Sequence, residues 1–202
     1  GEGIAFRRNG GFWIVSEGNP EKKDNPTANQ LVRLAPDGSV EEEIALPEAL
    51  AKHATRFGFE GVTVAGEGAD ETVWIAVQRE WKDDPKGKAK ILSYKPATKT
   101  WGVLHYPLES IANGWVGLSE ITAVGDDTFV VVERDNQLGD KALKALRSFS
   151  VKGLTPAAPG AEAIPTVTKS LVRDLAPDLA APKGYVLDKV ESFVIDAAGN
   201  AF

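Results

Sequence analysis

The stretch that decides the fold is EGVTV at residues 60–64, which an acidic turn connects to VWIA at residues 73–76. The same strand–turn–strand pattern occurs at residues 2–15, where EGIAF leads through an Asn-Gly-Gly turn to FWIV. It recurs at residues 119–132 and starts again at residue 191 with ESFVI. Short, turn-bounded strands that repeat roughly every 60 residues are typical of β-propeller blades.

Each repeat has room for two further strands. In the first repeat these are QLVRL at residues 30–34 and VEEEI at residues 40–44, joined by a Pro-Asp-Gly turn that suits a hairpin. We therefore predict an all-β propeller of four-stranded antiparallel blades in one region, residues 1–202. The predicted blades are 2–46, 60–108, 119–175 and a half blade at 191–202. A β-sandwich with longer loops is the alternative fold, although a sandwich does not require the repeated pattern.

Three and a half blades do not make a closed propeller, because propellers typically have four to eight. The sequence contains no methionine, and its last strand pattern continues to Phe202. These observations predict an incomplete propeller that is a fragment of a longer chain. The remainder of the propeller would then be a partner of this region.

Composition excludes several classes of function. The 202 residues are 43% hydrophobic and 26% charged, with a net charge of −6, which argues against nucleic-acid binding driven by phosphate neutralisation. No apolar run is long enough to span a membrane. The absence of cysteine excludes disulfides, thiolate metal sites and cysteine nucleophiles. No G-x-S-x-G element suggests a serine nucleophile, so the sequence assigns no catalytic residue.

Charged side chains occur where the first strand of a hairpin begins and the second ends. These two points lie at the same edge of an antiparallel hairpin, so radial packing would gather the side chains around one mouth of the channel. Converging carboxylates need a cation, an arginine or a raised pKa, and oxygen-only ligands suit calcium. The predicted metal ligands are Glu2, Glu17, Glu60, Glu133, Asp135 and Glu191. The predicted ligand-binding cations are Arg79 and Arg134. In the alternative interpretation, these groups form hydrogen bonds and ion pairs between blades.

Five short elements carry a family resemblance: RFGFEGV at residues 56–62, YPL at 106–108, GLSE at 117–120, VERD at 132–135 and VES at 190–192. In this order, they resemble the phytase-like family described as "esterase-like activity of phytase". The resemblance implies a secreted or periplasmic bacterial propeller that hydrolyses phosphoesters or esters. Two functions follow: a metal-dependent phosphoester hydrolase, or a non-catalytic propeller that binds a metal ion, small ligand or partner protein on its acidic face.

Overall fold

A computed structural model describes residues 1–139, 141–181, 183–196 and 198–202. It contains three four-stranded antiparallel sheets, each built from four strands that follow one another in the chain. Sheet 1 contains β1 (Gly3–Phe6), β2 (Phe12–Ser16), β3 (Gln30–Leu34) and β4 (Val40–Ala45). Sheet 2 contains β5 (Phe59–Ala65), β6 (Thr72–Val77), β7 (Lys88–Lys95) and β8 (Thr100–Pro107). Sheet 3 contains β9 (Val116–Ala123), β10 (Thr128–Asp135), β11 (Lys144–Ser150) and β12 (Lys169–Asp174).

Among the residues that the structure describes, helices occur only in short connections. The helices are α1 (Glu48–Ala51) and α2 (Ala176–Ala180), with a 3-10 turn at Gly68–Asp70. Within the described ranges, no helix is long and apolar enough to cross a membrane.

The sheets pack in succession around their first strands, because β1 contacts β5 and β5 contacts β9. Alternate residues of a strand point to opposite faces, and β6 shows this clearly. Val73 and Ile75 are buried in a core shared with sheet 1, whereas Trp74 and Ala76 are buried in a core shared with sheet 3. The three sheets are therefore consecutive propeller blades, as predicted, and they do not close into a ring.

The predicted half blade begins a hairpin. Ile195 forms an antiparallel bridge with Ala201, and Val194 and Phe202 exchange two backbone hydrogen bonds of 3.0 and 2.9 Å. Val190 and Phe193 pack against Val130 and its neighbours on sheet 3. This fourth unit thus follows sheet 3 as sheet 3 follows sheet 2.

Close approach between the innermost strands depends on Gly61. A Cβ atom there would lie 2.5 Å from the backbone nitrogen of Ile121 and would also clash with the Glu120 carboxylate. We expect Gly61→Ala to lower the free energy of unfolding by about 1–3 kcal/mol, since overpacking forces the strands apart. Chemical denaturation would measure the change. Gly125→Ala is the matched control, because its nearest neighbour would be 3.9 Å away; equal stability of the two variants would contradict the packing argument.

Candidate functional site

Two β-bulges direct side chains at one end of the first strands of sheets 2 and 3. In the pairing of β5 with β6, Phe59 is opposite Val77 and Gly61 is opposite Ala76, so Glu60 is the extra residue. In the pairing of β9 with β10, the extra residue is Ser119. A bulge bends its strand and changes the direction of the side chain. Glu60 and Ser119 therefore occupy equivalent positions in neighbouring blades.

The end of each second strand supplies a hydrogen-bond donor for the bulged residue. Gln78 donates its side-chain amide to Glu60 Oε1, and Arg134 Nε donates to Ser119 Oγ at 2.9 Å. Glu17 holds the corresponding position in sheet 1, where its carboxylate accepts a hydrogen bond from the backbone nitrogen of Gly58 at 2.9 Å. The propeller repeat thus places chemically different groups at equivalent points around one mouth.

These groups line a pocket of about 510 Å³, which we call the mouth pocket. Its wall contains acidic, basic and aromatic side chains. They are Glu2, Glu17, Glu60, Glu191, Arg56, Arg134, Lys189, Phe57 and Trp115, together with the amides of Asn19 and Gln78. Four carboxyl groups therefore face three cationic groups, and the formal charges balance when one carboxyl is protonated.

Glu60 is the carboxyl group that best holds this proton. It is 5% exposed, and burial raises its pKa from 4.5 to about 8. The charges of Glu17 and Glu191 raise the pKa further, while that of Arg134 lowers it. Burial also raises the pKa of Glu17, although its hydrogen bond from Gly58 opposes this effect. At neutral pH, Glu60 is therefore mainly protonated and can donate a proton.

Arg134 is the most buried cation of the mouth pocket, with 2% exposure. Its guanidinium lies 4.9 Å from the centre of the Trp115 ring, and its Nη2 is 3.8 Å from Glu191. With the bond to Ser119, these contacts fix the guanidinium in place. Arginine has five N–H donors, so the group retains donors that an anion can use.

Arg79 does not line the mouth pocket. Its guanidinium lies beside the rings of Phe57 and Trp115, 4.9 and 5.2 Å from their centres, and its Nη2 is 3.3 Å from Glu80. It therefore contacts both aromatic walls of the pocket. Arg56 also lies over the Phe57 ring, 4.7 Å from its centre, and it lines the pocket together with Arg134.

The structure brings together four of the six predicted acids and places Glu133 and Asp135 elsewhere. Successive residues of a strand point to opposite faces, so the neighbours of Arg134 turn away from the mouth. Glu133 accepts hydrogen bonds from Lys169 at 2.8 and 2.9 Å and from the Tyr106 hydroxyl at 3.2 Å. The prediction that all six acids lie at one mouth is therefore wrong for Glu133 and Asp135, whose side chains point elsewhere.

Asp135 belongs to a separate buried cluster. Its carboxylate accepts hydrogen bonds from Lys144 Nζ at 2.8 Å and from the backbone nitrogen of Leu143 at 2.9 Å. Lys144 is fully buried and also donates to the carbonyl oxygens of Asp135, Gln137 and Asp188. This lysine ties sheet 3 to the segment that precedes the fourth unit.

The predicted calcium site lacks a preformed ligand set. Across the described part of the chain, no group of three or more histidine or acidic side chains is placed to hold a metal ion. Around Glu60, Gln78 and Arg134 supply N–H donors that suit an anion, while the carboxylates of Glu17, Glu191 and Glu2 also act on it. The metal-ligand roles of the six acids stay predictions.

Among the charged and amide side chains of the mouth pocket, four were not predicted as site residues: Asn19, Arg56, Gln78 and Lys189. Arg56 begins the RFGFEGV element, so its position next to Glu60 in a family-like motif was the available indication. Aligning the ends of β6 and β10 gives Gln78 the same position in its repeat as Arg134 has in sheet 3, so the repeat could have indicated Gln78. Nothing in the sequence pattern distinguishes Lys189 from other surface lysines.

A match to a protein-family model shows which family the chain belongs to. The model for "Phytase-like: Esterase-like activity of phytase" matches residues 1–201, essentially the whole chain. The chain belongs to the phytase-like family. No curated protein sequence matches it. For this phytase-like protein, the mouth pocket lies within the matched range, and the elements that carry the resemblance supply Arg56, Phe57, Glu60, Arg134 and Glu191 to its wall.

Proposed function

We propose that this phytase-like propeller hydrolyses phosphate esters in the mouth pocket, and that arginines rather than a metal ion hold the phosphate. The observation that carries the proposal is that the buried carboxyl group of Glu60, whose pKa burial raises to about 8, and the buried guanidinium of Arg134 line one pocket. Guanidinium groups bind phosphate through charge-assisted hydrogen bonds. A carboxyl group with a pKa near neutrality is suited to general acid catalysis.

Each group has a defined part in this reaction. Arg134 and Arg56 bind the non-bridging oxygens of the phosphate. Glu60 gives its proton to the bridging oxygen as the bond between phosphorus and that oxygen breaks. A water molecule attacks phosphorus, and Glu17 accepts its proton. The products are an alcohol and inorganic phosphate, and proton exchange with solvent restores both carboxyl groups.

Calcium has no step in this scheme, because the described residues do not form a ligand set for it. Calcium binding at the acidic rim stays a prediction, and it has a direct test. Under the arginine-based proposal, hydrolysis persists in excess chelator. Activity that disappears with chelator and returns with calcium would replace this proposal with the metal-dependent one.

Non-catalytic binding of the same anion is the second candidate. It is supported by the fixed orientation of Arg134, which Ser119 and Trp115 hold without any contribution from Glu60. We also propose, on the family relationship alone, that the protein acts in the periplasm or outside the cell. Fractionation of the natural host would test that location.

Calorimetric titration with inorganic phosphate and with phytate tests anion binding. We expect Arg134→Gln to weaken binding about 10- to 150-fold, because a hydrogen bond to a charged group contributes about 1.5–3 kcal/mol. Lys189→Gln, at an exposed position of the same pocket, should have a smaller effect. Arg8→Gln is the control, because Arg8 lies in the turn at the opposite end of the first hairpin and lines a different pocket. Equal affinities for wild type and Arg134→Gln, with both folded, would contradict the proposal.

A further inference from the structure

A second pocket, which we call the side pocket, lies beside sheet 1 and has a volume of about 410 Å³. Two segments form it: the loop between β2 and β3, and the connection that leaves β4 through α1. Its walls are mainly apolar and include Pro20, Pro26, Ala45, Leu46, Ala51 and Ala54. Among the residues that the structure describes, no charged side chain lines it, and it shares no lining residue with the mouth pocket. The side pocket therefore suits an uncharged, largely apolar molecule.

Asn29 supplies the side pocket with an amide of fixed orientation. The residue is 2% exposed, and its Oδ1 accepts hydrogen bonds from the backbone nitrogens of Gly18 at 2.9 Å and Phe59 at 3.1 Å. An amide turned the other way would set its NH₂ group against two N–H donors, so these contacts decide which atom is the oxygen. Nδ2 is therefore the branch of the amide that these backbone donors leave unused.

This Nδ2 atom is buried, and no atom in the described part of the chain accepts a hydrogen bond from it. A buried donor without a partner is costly, and most buried polar groups in folded proteins have one. Rotating the Asn29 amide towards another acceptor would break the two bonds that Oδ1 makes to Gly18 and Phe59. An acceptor oxygen on a molecule in the side pocket would satisfy the donor without that loss.

We propose that the side pocket binds a small uncharged carbonyl compound, whose oxygen accepts a hydrogen bond from Asn29 Nδ2 and whose apolar part contacts the proline, alanine and leucine walls. A hydroxyl group suits this donor less well, because its own hydrogen needs an acceptor and Gly18 and Phe59 already occupy Asn29 Oδ1. A carboxylate is disfavoured, because the described lining offers no cation to compensate for removing its charge from water. Ketones, esters and tertiary amides share the required chemistry.

Titration of the ¹⁵N-labelled full chain with cyclohexanone, followed by ¹H–¹⁵N NMR, tests this site. Methylenecyclohexane has the same ring with a CH₂ group in place of the oxygen, so it isolates the contribution of the acceptor. Cyclohexanone should bind saturably and shift the side-chain NH₂ signals of Asn29. It should also bind about 2- to 12-fold more tightly than methylenecyclohexane, the range expected for one hydrogen bond.

Two variants separate the donor from the pocket. Asn29→Asp keeps an oxygen for Gly18 and Phe59 but removes the NH₂ group, so cyclohexanone should lose its advantage over methylenecyclohexane. Ala51→Phe adds a ring at an exposed position of the pocket wall and should abolish saturable binding of both compounds. Ala181→Phe is the matched control, because Ala181 is exposed just after α2 and away from the side pocket, and it should bind like wild type.

Thermal unfolding would verify that each variant folds, and Ala51→Phe carries the test of the site if Asn29→Asp does not. Equal affinities of the wild type for cyclohexanone and methylenecyclohexane would overturn the proposal, since Asn29 would then contribute nothing to binding. Saturable binding that survives in Ala51→Phe would overturn it as well, because the compound would then lie elsewhere on the molecule.

Discussion

Replacing Glu60 with glutamine is expected to lower kcat for a phosphate ester by about 10²–10⁴-fold, the range typical of lost general acid catalysis. Glutamine keeps the shape and the oxygen that accepts the hydrogen bond from Gln78, but it cannot supply the proton. KM should change little, because Arg134 and Arg56 hold the phosphate in both proteins. Steady-state kinetics at pH 6 to 9 would measure both parameters.

The raised pKa of Glu60 determines the direction in which activity changes with pH. Since the pKa of Glu60 is raised to about 8, the protonated form predominates below that pH and is lost above it. Activity of the wild type should therefore fall as pH rises through about 8, whereas the residual activity of Glu60→Gln should not show this loss. Glu120→Gln is the control: Glu120 is half-buried, and burial raises its pKa to about 7, but it does not line the mouth pocket. A large kcat effect in Glu120→Gln and none in Glu60→Gln would contradict the assignment.

Lys144→Met is expected to reduce the free energy of unfolding by about 3–5 kcal/mol, because it leaves the Asp135 carboxylate buried without its cation. Lys144 is fully buried, and four oxygen atoms surround its Nζ at 2.8 to 3.2 Å. For a chain of this size, the loss corresponds to a decrease in melting temperature of roughly 6–20 °C. Differential scanning calorimetry would measure it.

Lys141→Met provides the comparison, because Lys141 is exposed just before β11. It should leave the melting temperature nearly unchanged. The double variant Lys144→Met/Asp135→Leu should recover part of the lost stability, since replacing both partners of a buried pair by apolar groups is often tolerated. If Lys144→Met unfolds at the wild-type temperature, the cluster does not hold the fourth unit in place as described.

The repeat made the fold predictable from the sequence. The strand–turn–strand pattern at residues 2–15, 60–76 and 119–132 carries both the period of the blades and the alternation of buried side chains. Trp13 and Trp74 occupy the same place in two repeats, and each is buried between adjacent sheets. Such patterns record which residues a strand buries, and this is what determines the packing of blades.

The mouth pocket was only partly predictable, because strand position does not fix side-chain direction near a bulge. The hairpin geometry correctly indicated that Glu2, Glu17, Glu60 and Glu191 lie at one end of the channel. It failed for Glu133 and Asp135, whose alternation with Arg134 turns them towards lysines. Arg56 lines the pocket and Arg79 does not, and the positions of strand ends gave no indication of either.

Titration of the Glu60 carboxyl group by ¹³C NMR, with and without inorganic phosphate, tests the central claim most directly. The account predicts a midpoint near pH 8 in the free protein. Phosphate should move the midpoint higher, because a bound anion disfavours the carboxylate. The shift on adding phosphate should be absent in Arg134→Gln. A midpoint near the ordinary value of 4.5 that phosphate leaves unmoved would contradict the account of the mouth pocket as a phosphate-ester site with Glu60 as its proton donor.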